Sequence, residues 1–104
     1  VDLPQEIAAA LPALREIAAA HGVRAVAIIG SVPRGTFDPK RSDIDLLVDL
    51  GGYTDDPGRR ALSFRREAQL LFGRHVDVVS THGVRNPTWR AIHAASQVPV
   101  YAAT

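Results

Sequence analysis

The chain has no cysteine among its 104 residues. Disulfides, thiolate metal sites and a cysteine nucleophile are thereby excluded together, and the redox compartment stays undecided. No apolar run approaches the ~20 residues that span a bilayer. No signal peptide opens the chain, so a cytoplasmic protein with no membrane partner is the expectation. Net charge is almost missing as well: twelve basic and eleven acidic residues leave a formal charge of +1. General nucleic-acid binding would need a clustered basic stripe, and that balance gives no sign of one. Lysine is scarce, because eleven of the twelve basic residues are arginine. They suit phosphate in one groove, a partner's acidic face, or ordinary solvated surface. No internal repeat, low-complexity stretch or linker is visible.

What is present fits a single folded domain over 1–104, since 46% of residues are hydrophobic and 22% charged. That composition argues against disorder, and the length is enough to bury a core. Leu3, Ile7, Leu11, Leu14, Ile17 and His21 recur at helical spacing, the stripe of an amphipathic helix. Asp2 and Gln5 resemble a capping box, and Pro4 is tolerated in a first turn. Pro12 predicts either a kink near residues 8–12 or a break into two pieces. Gly22 ends the segment. Residues 24–29 read as a central strand, because they are too continuously apolar to be half exposed. Gly30 to Gly35 reads as a tight turn with one or two helical turns. A polar loop from Phe37 to Ser42 leads to a second strand from Asp43 to Leu50, stopped by Gly51 and Gly52.

Asp56 followed by Pro57 is a helix start. That helix runs to Phe72, burying Ala61, Leu62, Phe64, Ala68 and Leu71, and Gly73 ends it. Val76 to Val79 makes a third strand. After a loop from Thr81 to Pro87, Thr88 caps a short helix through Ala94, and Val98 to Ala102 either extends or frays. The order gives an α/β (α+β) fold, a small mixed sheet with helices packed on it.

The chemistry gathers on three aspartates. Asp43 and Asp45 are two apart at the lip of the second strand, so they point to one side of the sheet. Close carboxylates repel unless something positive sits between them, and hard divalent cations such as Mg²⁺ suit oxygen ligands. Asp77, between valines, reads as an interior carboxylate, costly to bury without a partner. If the third strand neighbours the second, the three carboxylates make one site for one or two Mg²⁺ ions and a triphosphate. Asp49 shares their parity but lies at the far end of the strand, where solvent exposure explains it.

Gly30 allows close backbone approach, and Ser31 follows at a helix start where N–H groups and a hydroxyl can take phosphate oxygens or serve only as a cap. Pro33 removes one donor, and the spacing matches neither a P-loop nor a dinucleotide fingerprint. Arg34, one turn on, either reaches phosphates or packs over the turn. Ser42 is a candidate for binding the nucleotide as well as for orienting its loop through a backbone bond, while Arg41 balances local charge. His75 is expected on the face opposite Asp77. Trp89 with Ile92 reads as packing or as part of a partner-binding face, His21 and His93 as helix-surface or boundary residues, and Arg59, Arg60, Arg65 and Arg66 as a solvated face or one that meets an acidic partner.

The string Gly30-Ser31-Val32-Pro33-Arg34-Gly35, seven residues, Asp43-Ile44-Asp45, and later Val76-Asp77-Val78 resembles the minimal nucleotidyltransferases of the DNA polymerase beta superfamily. These are often the antitoxin half of HEPN–nucleotidyltransferase pairs. The likeness covers residues 5 to 100. It implies that Gly30 and Ser31 contact the triphosphate, that Asp43 and Asp45 bind metal, and that Asp77 is the third carboxylate. It further implies AMP transfer from ATP to a tyrosine hydroxyl of a cognate HEPN toxin. Pro33 and Ile29 depart from the family pattern without removing a ligand. Larger relatives carry a second domain for the acceptor, so the expected acceptor here is a partner surface or another copy of the chain, in a homo- or hetero-oligomer. The alternatives are an antitoxin acting by binding alone, or transfer to a small molecule or RNA.

Overall fold

The first apolar stripe folds as one helix, α1 (Gln5–Ala20), in a computed structural model that describes residues 3–51, 56–81 and 96–103. Its buried face is Ile7, Leu14 and Ala18. Pro12 sits inside this helix and does not divide it in two. Ile7 on one side of the proline and Leu14 on the other enter the same core, so tertiary packing holds both halves in one element. Asp2 lies outside the described residues. The N-cap is Pro4, without a side-chain cap, and its carbonyl accepts from the N–H groups of Ile7 and Ala8 at 3.0 and 2.9 Å. At the other end Val23 donates to the Ala18 carbonyl and Gly22 to Ala19. This Schellman closure needs a left-handed residue, and Gly22 supplies it at φ +67°.

The chain continues through β1 (Ala25–Ile29), α2 (Ser31–Arg34), β2 (Ile44–Asp49), α3 (Pro57–Phe72), β3 (Val76–Ser80) and β4 (Val98–Ala102). The strands form one sheet in the order β3-β2-β1-β4. β1 runs antiparallel to both neighbours, while β2 and β3 are parallel, so the sheet is mixed. The hydrophobic run of β1 is central, as its composition demands. The tail pairs with it as a strand rather than fraying.

Alternation along β2 decides which face is core. Ile44, Leu46 and Val48 are fully buried, and they meet Val26, Ile28, Val76 and Val100 with Phe64 and Ala68 of α3 and the α1 stripe. Asp45, Leu47 and Asp49 alternate to the opposite face and are half-buried. The helices therefore cover one face of the sheet and leave the acidic positions on the other.

α3 starts as its sequence dictates: the Asp56 side chain accepts from the Arg59 N–H at 3.2 Å, and Pro57 follows. Gly73 closes it at φ +65°. Leu62 is the exception to the expected buried set, being 63% exposed. It lies one position past Ala61, a turn of about 100° away from the core stripe. The arginines of α3 are also not a uniform solvated face. Arg60 donates to the carbonyls of His21 (3.2 Å), Gly22 (2.6 Å) and Leu50 (3.0 Å), and Arg65 to that of Val76 (2.8 Å). Their guanidinium forks satisfy carbonyls at the ends of α1, β2 and β3, which sequence spacing along one helix does not reveal.

The short helix expected beyond Thr88, with Trp89, Ile92 and His93, lies outside the described residues. Among the described residues no helix is long and apolar enough to cross a membrane. Replacing Arg60 by alanine removes donors from three carbonyls and should lower unfolding stability in urea by about 2 kcal/mol, whereas Arg66→Ala, on the exposed face, should stay within about 0.5 kcal/mol.

Candidate active site

Parallel pairing of β2 with β3 sets the site. Ile44 is level with Val76 and Asp45 with Asp77. Asp43, just before Ile44, therefore stands beside His75, and the Ile44 N–H donates to the His75 carbonyl at 3.2 Å. One ligand atom each from Asp43, His75 and Asp77 lies within 4.8 Å of the others. Asp45 and Asp77 face each other on one rung, and the Asp77 carboxylate pushes the Asp45 carboxyl upward. Thus three aspartates from two strands and the loop before one of them converge on a single patch.

Two expectations are corrected here. Asp77 is not an interior carboxylate: its side chain is 53% exposed. Among the described residues β3 is an edge strand, and the face carrying Asp77 is the one without α1 and α3. His75 is not on the opposite face either. It is two residues from Asp77, so the period-two rule puts both on the same side, and its Nε2 lies 2.8 Å from Asp77 Oδ1. That same rule, applied to His75 as it was to Asp43 and Asp45, finds this residue from sequence alone.

The turn after β1 is built against Asp45. Gly30 has φ +80° and ψ −133°, a region open essentially to glycine alone. A Cβ there would come within 3.2 Å of Asp45 Cγ and closer still to its Oδ2. Glycine is thus required twice, by its dihedrals and by the carboxylate beside it. Ser31 opens α2 and is half-buried, and Gly35 closes the turn in the left-handed conformation. Arg34 reaches back over this turn, its Nε donating to the Gly30 carbonyl at 3.1 Å.

The loop that delivers Asp43 braces itself. Ser42 Oγ accepts from the Asp38 N–H, and the Ser42 N–H donates to the Asp38 carbonyl, both at 2.8 Å. Asp38 Oδ1 also accepts from the Lys40 N–H at 2.9 Å. Ser42 thus orients its loop as expected. Arg74, which carried no sequence signal, clamps the same loop from outside. It donates to the Ser42 carbonyl (3.2 Å) and to Glu6 Oε2 (3.1 Å), with its guanidinium 5.0 Å from the Phe37 ring centre. Arg41 is exposed.

Electrostatics sharpen the picture. Partial burial pushes the Asp45 carboxyl above its ordinary value of 3.8, the Asp77 and Asp43 carboxylates push it further, and Arg34 pulls it partly back. Excess negative charge with oxygen donors on neighbouring strands fits a hard divalent cation, for which carboxylates are the usual ligands. Asp43, Asp45 and Asp77 are the residues that would hold it.

Comparison with known proteins bears on the fold and the family. The family model of the nucleotidyltransferase domain matches residues 10–100. A solved structure provisionally named a minimal nucleotidyltransferase is 29% identical, with 89% of this chain and 91% of that chain covered at a TM-score of 0.76. A toxin–antitoxin crystal structure with AMP-PNP is 15% identical, covering 90% of this chain and 74% of that one at a TM-score of 0.67. A mutant of the toxin–antitoxin pair MntA-HpeT is 14% identical, with coverages of 89% and 72% and a TM-score of 0.64. The last two share the fold. No curated protein matches the chain.

Two stability measurements test the site. Asp45 has a folded pKa above its unfolded value, so its contribution to stability is present at low pH and lost as pH rises through the folded pKa. Asp45→Asn, which cannot ionise, should therefore melt higher than the parent at pH 7 in metal-free buffer. The difference should close as the pH falls below 3.8, the ordinary value of the carboxyl. Gly30→Ala should cost about 1–3 kcal/mol in urea unfolding. Gly35→Ala, at φ +73° but with nothing within 4 Å of the added carbon, should cost less, about 1–2 kcal/mol.

Proposed function

The chain belongs to the nucleotidyltransferase domain family, and from that membership we propose that it transfers AMP from ATP to a tyrosine hydroxyl of a cognate HEPN-type toxin and so silences it. The observation that carries this is the shared rung of Asp45 and Asp77, with Asp43 beside it and the Gly30 turn packed on Asp45. Two of the fold's solved neighbours are toxin–antitoxin structures, one of them with AMP-PNP, an ATP analogue. That supports both the nucleotide and the class of partner. In this reading residues 1–104 form one catalytic domain acting in the cytoplasm, and the acceptor is brought by another chain in a hetero-oligomer.

In this mechanism Gly30 and Ser31 take oxygens of the triphosphate through backbone N–H groups and the serine hydroxyl. Arg34, already turned toward Gly30, adds positive charge on the same side. Ser42 holds the loop that presents Asp43. Asp43, Asp45 and Asp77 would hold one or two Mg²⁺ ions. The ion, when bound, neutralises phosphate charge and lowers the pKa of the attacking hydroxyl. Asp77, exposed on its edge strand, accepts the hydroxyl proton. The acceptor oxygen bonds to the α-phosphorus, the bond from that phosphorus to the bridging oxygen breaks, and pyrophosphate leaves with the electron pair.

Silencing by contact alone is the second reading, and one observation favours it. Leu62 and Leu70 stand 63% and 79% exposed on α3, an apolar pair that a partner surface would cover.

Labelled ATP, Mg²⁺ and the product of the adjacent gene decide between them. Label on that protein, lost in Asp43→Asn and Asp45→Asn variants that keep their circular dichroism, is the expected result. A proven complex without label would sink the transfer, and equal neutralisation by Asp43→Asn would establish the contact reading. Label on an RNA or a small molecule would reassign the acceptor.

A further inference from the structure

We propose that His75 is itself a ligand of the divalent cation, sharing it with Asp43 and Asp77, and that its nitrogen tilts the site toward a first-row transition ion such as Mn²⁺ over Mg²⁺. This rests on the nucleotidyl-transfer reading for the presence of a cation and adds a donor outside the trio of aspartates.

The geometry comes from strand pairing. His75 and Asp77 share a face of β3, and Asp43 arrives from the neighbouring chain segment at the level of His75. The imidazole reaches along the strand until Nε2 is 2.8 Å from Asp77 Oδ1. With the Asp43 oxygen included, all three donor atoms fit within 4.8 Å. Ligands on opposite sides of an ion with bonds of about 2.1 Å stand about 4.2 Å apart, and adjacent ones closer, so small side-chain rotations close the set on one ion.

Access and charge agree. The His75 and Asp77 side chains are 46% and 53% exposed, open to a hydrated ion. Arg74, the residue preceding His75, sends its guanidinium to Glu6 and the Ser42 carbonyl, so its charge is committed elsewhere. Binding would require the Nε2 proton that bridges to Asp77 to leave for solvent, so that the Nε2 lone pair faces the ion while Nδ1 carries the ring's N–H. Imidazole nitrogen favours transition ions, whereas an all-oxygen set suits Mg²⁺.

The alternative role for His75 is to orient Asp77 without touching the ion. Pulsed electron paramagnetic resonance separates the two. The full chain, labelled with 15N-histidine, is loaded with Mn²⁺ and a non-hydrolysable ATP analogue. We expect 15N hyperfine coupling to Mn²⁺ in the parent and none in His75→Gln, which retains an N–H for Asp77. The Mn²⁺-over-Mg²⁺ affinity ratio should fall about tenfold or more in that variant. Bound Mn²⁺ without 15N coupling in the parent overturns the ligand role while leaving nucleotidyl transfer standing. Failure to bind Mn²⁺ at all overturns both. The parent measurement needs no variant, so misfolding of His75→Gln cannot obscure it.

Discussion

The hydrogen-bonded ladder between β2 and β3 is the constraint on which the rest depends. Its register puts Asp45 level with Asp77 and brings Asp43 alongside His75. A slip of one residue would send one strand's acidic side chains into the core, among Ile44, Leu46 and Val76. Burial of those apolar residues therefore fixes the register, and the register fixes the site. Core packing and acidic cluster are two faces of one alternation.

That arrangement opposes itself. Carboxylates gathered for chemistry repel one another, and Asp45 bears the result, held above its ordinary pKa by burial and by Asp77 and Asp43. Side-chain to backbone contacts brace the scaffold, some at the patch and some at the far end of β2. Arg60 and Arg65 tie α3 to the ends of α1, β2 and β3. Arg74 and Ser42 hold the loop ahead of Asp43. Most of these anchors are arginines, which gives a physical role to part of the arginine excess without any nucleic acid.

Much of this was legible in the sequence because it rests on local rules. Strand alternation, the cap at Asp56 and the stops at Gly22 and Gly73 each follow from a few neighbouring residues. The pairing of β2 with β3 was only a condition that the acidic site placed on the fold, and the sheet meets it. What escaped depends on distant partners. That Pro12 leaves α1 undivided is decided by packing against a core built from every strand. The exposure of Asp77 follows from β3 being an edge, a property of the whole sheet. The reach of Arg60 to Leu50 and of Arg74 to Glu6 is invisible to spacing along one element. His75 differs from these, since its face was available from the same alternation that placed Asp43 with Asp45.

β4 has an implication for how the molecule is made. It is the partner of β1 on the side away from β2, its Val98 level with Ile28, and Arg15 of α1 reaches its Val100 carbonyl at 2.9 Å. The edge of β1 away from β2 therefore lacks its β4 partner until the chain has grown to Val98. Open apolar edges invite pairing with other chains. Synthesis thus exposes Ala25-Val26-Ala27-Ile28-Ile29 to aggregation until the final strand closes the sheet.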